Sequence, residues 1–409
     1  MDITLSGVIP NNVSGFVPKF SHMDIGRFYT PKLITKHPKL FSPGMLQLIS
    51  KGERAFTRCD EHMASSPYLE SVWNSQLNFE SLSASLIDGA EIDLMELLSY
   101  DLMKPKDHDP SKRRIHSMTS QRAIEYHDYV ETHNSCTDFH TFQFDRSSIM
   151  DLYSALNYKD DSSFSRSYRT ESIGGDDLNG MIIAPDQIDE YMDDLLKFCN
   201  TSAYTPHIQA SLVHFQLEYI RPFRHRTQSL GRQMAYIIYG KRDFTRHIFV
   251  ASAIESIWRF NKPLENLKSA FDHSGKHNPL ELWMYRSANM LIHQADKILE
   301  QERTFAEMED SWRKRVPKIR RDDICDIMLH DLVAHPIVNA KYIAQRSGRT
   351  LPAANDALRK LIDAGVIAPI DQRKRNRFFY AVDYVDWFKE QAEHYIPRGW
   401  LPGNEIVIF

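Results

Sequence analysis

Between Ser42 and Arg313 stretch after stretch has apolar residues returning every three or four positions, and only one segment has strand character. A 3.6-residue period lines one face of a helix with core residues, so the chain is committed to a mainly α fold. Met45, Leu46 and Ile49 form one stretch, and Leu69, Val72, Leu77, Phe79, Leu82 and Leu86 the next. Gly89 reads as a helix stop with a new start at Glu91. Further helices are predicted at about 119–131, 147–156, Pro185 to Cys199, and Pro206 to Ile220, where Ile208, Leu212, Phe215 and Tyr219 share a stripe. Gly231 to Tyr239, Ile248 to Trp258, Leu264 to Phe271 and a long run from about Pro279 to Arg313 follow. The departure is 168–183, where Gly174-Gly175 and Asn179-Gly180 precede Met181-Ile182-Ile183 and predict a β-hairpin. Residues 1–40, rich in Gly, Pro and isolated aromatics, read as an extended arm.

The chain has 409 residues, 42% of them hydrophobic and 25% charged, which supplies a sizeable core and excludes disorder. A net charge of -4 argues against chain-wide affinity for nucleic acid or acidic lipid. No apolar run approaches the roughly 18 residues of a membrane span, and the N-terminus lacks the pattern of an export signal. Cys59, Cys136, Cys199 and Cys325 have neither metal-ligand nor disulfide-framework spacing. A soluble cytoplasmic protein without a cysteine-bound metal is expected.

After Pro317 the charge balance changes. Residues 318–377 hold twelve Lys and Arg against seven Asp, a local +5 in a chain that totals -4. Predicted helices at Asp323 to Leu332, Ala340 to Arg346 and Pro352 to Ala364 precede strands at Val366 to Ile370 and Phe378 to Val382. That is the order of a winged helix-turn-helix. Its recognition helix would present Arg349, Asn355, Arg359 and Lys360 to DNA, with Asn355 able to read adenine, while Arg373, Lys374, Arg375 and Arg377 would form a wing tip facing phosphates. A homodimer would double those contacts. The same module could instead dock protein, its basic loop being a solvated turn.

The chemistry is expected at 214–232. There a helix stops at Pro222, a short polar loop follows, and a second helix begins near Thr227 to Ser229. Free N–H groups at that second start, with Arg221, Arg224, Arg226 and Arg232 in reach, would make a phosphate pocket that Thr227, Gln228 and Ser229 complete. The plainer alternative has Arg221 serving a helix C-terminus and Arg232 pairing with a helix neighbour. His214, two turns earlier, reads as a hydrogen-bonded core histidine.

The segment resembles the Fic family of protein adenylyltransferases, whose signature H-P-F-x-[DE]-G-N-G-R-x-x-R joins two helices of a helical core. Pro222, Phe223 and Arg232 match it, as do His214, Gln216, Glu218 and Ile220 ahead of it. The resemblance covers about 40–385, including the module after Pro317. It implies a 41–115 helical region, a 116–317 core with a hairpin flap, a 318–390 winged helix and a 391–409 tail. It also implies AMP transfer from ATP to protein Ser, Thr or Tyr hydroxyls, with the signature His as base, the acidic residue holding magnesium, and the flap docking the target protein as an added strand.

The departures fall on those roles. Arg221 stands at the base position and His225 at the metal position, while Arg226, Thr227 and Gln228 replace Gly-Asn-Gly and Ser229 replaces Arg. Arginine stays protonated and cannot take a proton, and magnesium prefers carboxylate oxygen to imidazole. An impaired enzyme acting as a binding or regulatory module is therefore expected, with ATP and magnesium as cofactors only if the family activity survives. The alternatives are a transferase with another phosphate-bearing donor or with His225 as base, and a DNA-binding regulator. Many family members carry an inhibitory [ST]-x-x-x-E-[GN] helix. Its counterpart here is Ala84 to Gly89, in which Ser85, Asp88 and Gly89 stand near the switch positions; the same residues also read as a simple helix end.

Overall fold

The computed structural model describes residues 33–36, 41–87, 94–103, 139–156, 167–173, 182–201, 203–224, 226–253, 279–317, 319–321, 323–370 and 377–395. Most of them are helical, as the apolar spacing predicts. The helices are α1 (Pro43–Met63), α2 (Leu69–Ile87), α3 (Leu94–Met103), α4 (Arg146–Ala155), α5 (Ile188–Cys199), α6 (Pro206–Ile220), α7 (Thr227–Lys241) and α8 (Pro279–Arg315). Then come α9 (Ile324–Asp331), β1 (Ile337–Val338), α10 (Ala340–Ser347), α11 (Leu351–Asp363), β2 (Ile367–Pro369), β3 (Phe379–Ala381) and α12 (Val382–Tyr395).

Two helix pairs organise the core. α1 and α8 run in parallel: Gly52 lies against Ala288, the Cys59 thiol faces the Ala295 carbonyl at 3.6 Å, and His62 meets Glu302 at 2.7 Å. A Cβ on Gly52 would sit 2.6 Å from the Ala288 carbonyl oxygen, so the close approach requires glycine there. α6 and α7 form an antiparallel hairpin in which His207 pairs with Tyr239 at one end and His214 crosses Gly231 near the other. Buried Asp60 of α1 accepts from the backbone N–H groups of Arg246, His247 and Ile248 at 2.8 to 3.0 Å, which fixes the segment after α7. That carboxylate explains why Ile248 to Ala251 is not helical, although its apolar spacing predicts a helix from Ile248.

Sequence expectations meet the structure unevenly elsewhere. The hairpin pairs Gly174-Gly175 and Asn179-Gly180 lie outside the described residues, as do the arm over 1–32, Gly89, Glu91, and the helices expected at 119–131 and 264–271. Among the described residues of 168–183 there is no strand; 167–173 and 182–183 instead bend around Arg169. The C-terminal elements fall within a residue or two of their expected positions, with two additions. β1 joins a three-stranded antiparallel sheet in the order β1-β3-β2, with Ile337 opposite Tyr380 and Ile367 opposite Ala381. Helix α12 then runs through Tyr395, past the 390 boundary.

The C-terminal module is fastened to the core. Phe388 of α12 stacks on Phe79 of α2 at 4.1 Å, and the Trp312 indole donates to Asp383. Glu309 of α8 accepts from His330, Arg313 and Tyr68, while Glu70 of α2 faces both His335 and Arg346. Trp312, Phe305, Tyr384 and Phe388 are fully buried at this seam. Among the described residues no helix is long and apolar enough to cross a membrane.

Candidate functional site

α6 carries apolar residues almost all round and is buried along most of its length, so its end is fixed by tertiary contacts rather than by solvent. The helix ends at Ile220 because Pro222 follows and Arg221 turns left-handed, with φ 39° and ψ 66°. A side chain in that region is strained by roughly 1–2 kcal/mol, so something must hold it. The holder is Arg169, which sequence reasoning missed. Its guanidinium donates to the carbonyls of Arg221 at 2.7 Å, Ile183 at 2.6 Å, Glu171 at 3.0 Å and Ile220 at 3.2 Å, and its backbone N–H reaches the Pro222 carbonyl at 2.8 Å. Burial, then the charge of Arg221, pulls the Arg169 guanidinium down to about 10. No local sequence signal marks this cap, since it comes from 52 positions upstream.

Beyond the turn, Phe223 is buried, stacked on Tyr153 at 3.6 Å and edge-on to Tyr168 at 5.6 Å. Thr227 donates back to the Phe223 carbonyl at 3.1 Å. Arg226 precedes α7 with φ 56°, a second left-handed side-chain residue, and its guanidinium donates to the Leu156 carbonyl. A Cβ on Gly231 would lie 2.6 Å from Cδ2 of His214, so glycine is what lets α7 close on that ring.

The arginines face the chain's own acceptors. Arg221 folds back onto buried Glu218 at 3.3 Å. Arg224, exposed, pairs with Glu171. Buried Arg232 donates to Ser229 at 2.9 Å and faces Glu80 of α2 at 3.7 Å. Glu218 also accepts from Gln228 at 3.4 Å and faces His214 at 3.7 Å. Burial works to raise the Glu218 carboxyl, but the nearby His214 ring and the charges of Arg221 and Arg232 outweigh it and hold the group below its ordinary range. Thr227, Ser229 and Arg232 are buried, and Gln228 is half-buried. His225 lies outside the described residues.

A helical hairpin whose turn reads Arg221-Pro222-Phe223, with an arginine one turn into the second helix, is the frame of the signature quoted above. Residues 143–238 match the sequence model of the Fic/DOC family. This segment is a Fic domain. Among solved structures, the chain is similar to a Fic family protein from Desulfovibrio desulfuricans G20, at 13% identity, covering 84% of this chain and 97% of that one with a TM-score of 0.48. No curated protein matches the sequence.

The family's ATP and magnesium find a poor fit in the described residues of this Fic domain. The carboxylates nearest the loop, Glu218, Glu171 and Glu80, each face an arginine, and a hard cation would have to displace that charge. Among the described residues no group of three or more His, Cys, Asp or Glu could hold a metal ion. The polar side chains at the start of α7 are spent on Phe223 and Arg232 rather than aimed outward. Of the inhibitory-like residues, Asp88 and Gly89 and the side chain of Ser85 lie outside the described residues; Arg232 meets Glu80, two turns earlier on the same helix.

At the C-terminal module the structure places Arg349, Asn355, Arg359 and Lys360 on the exposed side of α11 and the turn before it. Asn355 donates to the Leu351 carbonyl, and Arg359 pairs with Asp356. Arg377 is exposed, with its guanidinium 5.1 Å from the centre of the Phe379 ring, while Arg373, Lys374 and Arg375 lie outside the described residues.

Proposed function

We propose that this Fic domain no longer transfers AMP by the family's base-and-metal route, and that its core works as a binding or regulatory module joined to a winged helix-turn-helix that contacts DNA or a partner protein. The observation that carries this reading is the pairing of Arg221 with Glu218. A guanidinium held against a buried carboxylate stays charged, so the position that should remove a hydroxyl proton has no lone pair to offer. The pairing of Arg224, Arg226 and Arg232 with internal acceptors supports it further, because an incoming triphosphate would have to compete with each. Target docking along the flap needs no base and is compatible with the loss of chemistry. The test is incubation with magnesium and ATP labelled at the α-phosphate, alone and with a lysate. No transfer is expected; label that appears and then disappears in His225→Ala would establish an active enzyme with a displaced base.

A second reading, a DNA-binding regulator, is favoured by the exposed Asn355, Arg359 and Lys360 of α11 and the exposed Arg349 in the turn before it. It predicts binding to duplex DNA that weakens steeply with salt and falls when Arg373, Lys374 and Arg375 become Ala. Absence of any complex at low salt removes it.

A further inference from the structure

A cavity of about 110 Å³ lies where α2 and α3 meet the C-terminal module. Its walls are mainly apolar: Leu77 from α2, Leu97, Leu98 and Leu102 from α3, and Ile337 from β1. Four polar side chains also line it, and three are committed elsewhere. Asn74 donates to the Ala334 carbonyl at 3.1 Å, the His335 ring meets Glu70 at 3.1 Å, and the Tyr342 hydroxyl donates to Asp331 at 2.8 Å.

The fourth is Asn78. It is 7% exposed and lines the cavity. An amide in an apolar wall is unfavourable unless something pairs with it, so a carboxamide set among leucines favours an occupant that does. The amide offers one donor and one acceptor side by side, which a second carboxamide or a protonated carboxyl group pairs with at both points.

We propose that this cavity is a binding site for a small, uncharged, largely apolar molecule carrying a carboxamide or carboxyl-type head, with Asn78 as the group that reads the head and the leucines of α2 and α3 holding the body. Its size sets the scale: a cavity of about 150 Å³ takes benzene, with its six non-hydrogen atoms, so one of about 110 Å³ takes a body-plus-head of about four to five. Charge is excluded by the walls, since the two ionisable side chains among those named, His335 and Tyr342, are already held by Glu70 and Asp331. The ligand would touch α2, α3 and β1 together, so its occupancy would tighten the seam between the core and the C-terminal module.

Saturation-transfer NMR on the full chain with propionamide tests the site. Saturable transfer in the range of roughly millimolar ligand is expected in the wild type, reduced at least about tenfold both in Asn78→Leu, which removes the amide at similar volume, and in Leu102→Trp, which fills the cavity from α3. Either variant alone decides the point. Propylammonium, of similar size but charged, is expected to bind at least about tenfold more weakly. No saturable transfer to propionamide, transfer that either variant leaves intact, or equal binding of propylammonium would overturn the proposal.

Discussion

Replacing Arg169 by Met probes the device that shapes the candidate site. The side chain satisfies four carbonyls that converge on the end of α6, those of Glu171, Ile183, Ile220 and Arg221. A buried acceptor deprived of its donor costs roughly 1–3 kcal/mol, so four of them define an upper range near 12 kcal/mol. Two effects cut this down. Removing a cation that burial and Arg221 already disfavour returns some free energy, and the loop will relax to rehydrate part of what it loses. A net loss of about 3–5 kcal/mol is expected, read as a lower urea midpoint by circular dichroism at unchanged slope. Arg169→Lys should recover only a small part, because one ammonium cannot reach the geometry of a planar fork. A loss below about 1 kcal/mol in Arg169→Met, or a lysine variant as stable as the wild type, would refute the capping role.

Two further expectations follow from the same contacts. Gly231→Ala places a Cβ 2.6 Å from His214, a ring already edge-on to Trp283, and should cost about 1–3 kcal/mol; adding His214→Ala should restore part of that loss in a double-mutant cycle. The His330–Glu309 contact makes the seam pH-dependent. The Glu309 hydrogen bond raises His330 above its ordinary value near 6.5, so its stabilising share is full below that value and fades as pH rises past it. Burial opposes ionisation of Glu309, but hydrogen bonds from His330 and Arg313 lower it to about 2, so its share is full above about 4.5 and fades toward about 2. The stability difference between wild type and His330→Gln should therefore be largest between about pH 4.5 and 6.5; a difference that grows as pH rises above 6.5 would contradict the assignment.

Helices were legible wherever a long apolar stripe met a recognisable end. Pro206 opens α6 where the sequence places its start, whereas the caps Asp145 of α4 and Asn339 of α10, which accept from the Ser148 and Tyr342 N–H groups, went unread. The signature frame was legible too, since Pro222, Phe223 and Arg232 lie within eleven consecutive residues. What escaped were contacts between distant positions. Asp60 overrides the apolar spacing of Ile248 to Ala251 from 188 positions away, and β1 is only two residues long, too short for alternation to register. The partners of the arginines escaped for the same reason. A run of cations in a loop predicts an anion, and here Glu218, Glu171 and Glu80 supply the negative charge from α6, from the bend around Arg169, and from α2. Glu80 accepts in addition from the Ala253 N–H at 2.8 Å, which ties the carboxylate into the core before it reaches Arg232.

The central claim is that the loop's arginines are committed to the chain's own carboxylates and carbonyls, leaving no anion pocket among the described residues at the start of α7. Calorimetric titration of the full chain with ATP, with and without magnesium, measures that directly. The account predicts no saturable heat at concentrations up to roughly millimolar. Micromolar binding that is lost in Arg226→Ala and in Arg221→Ala would contradict it.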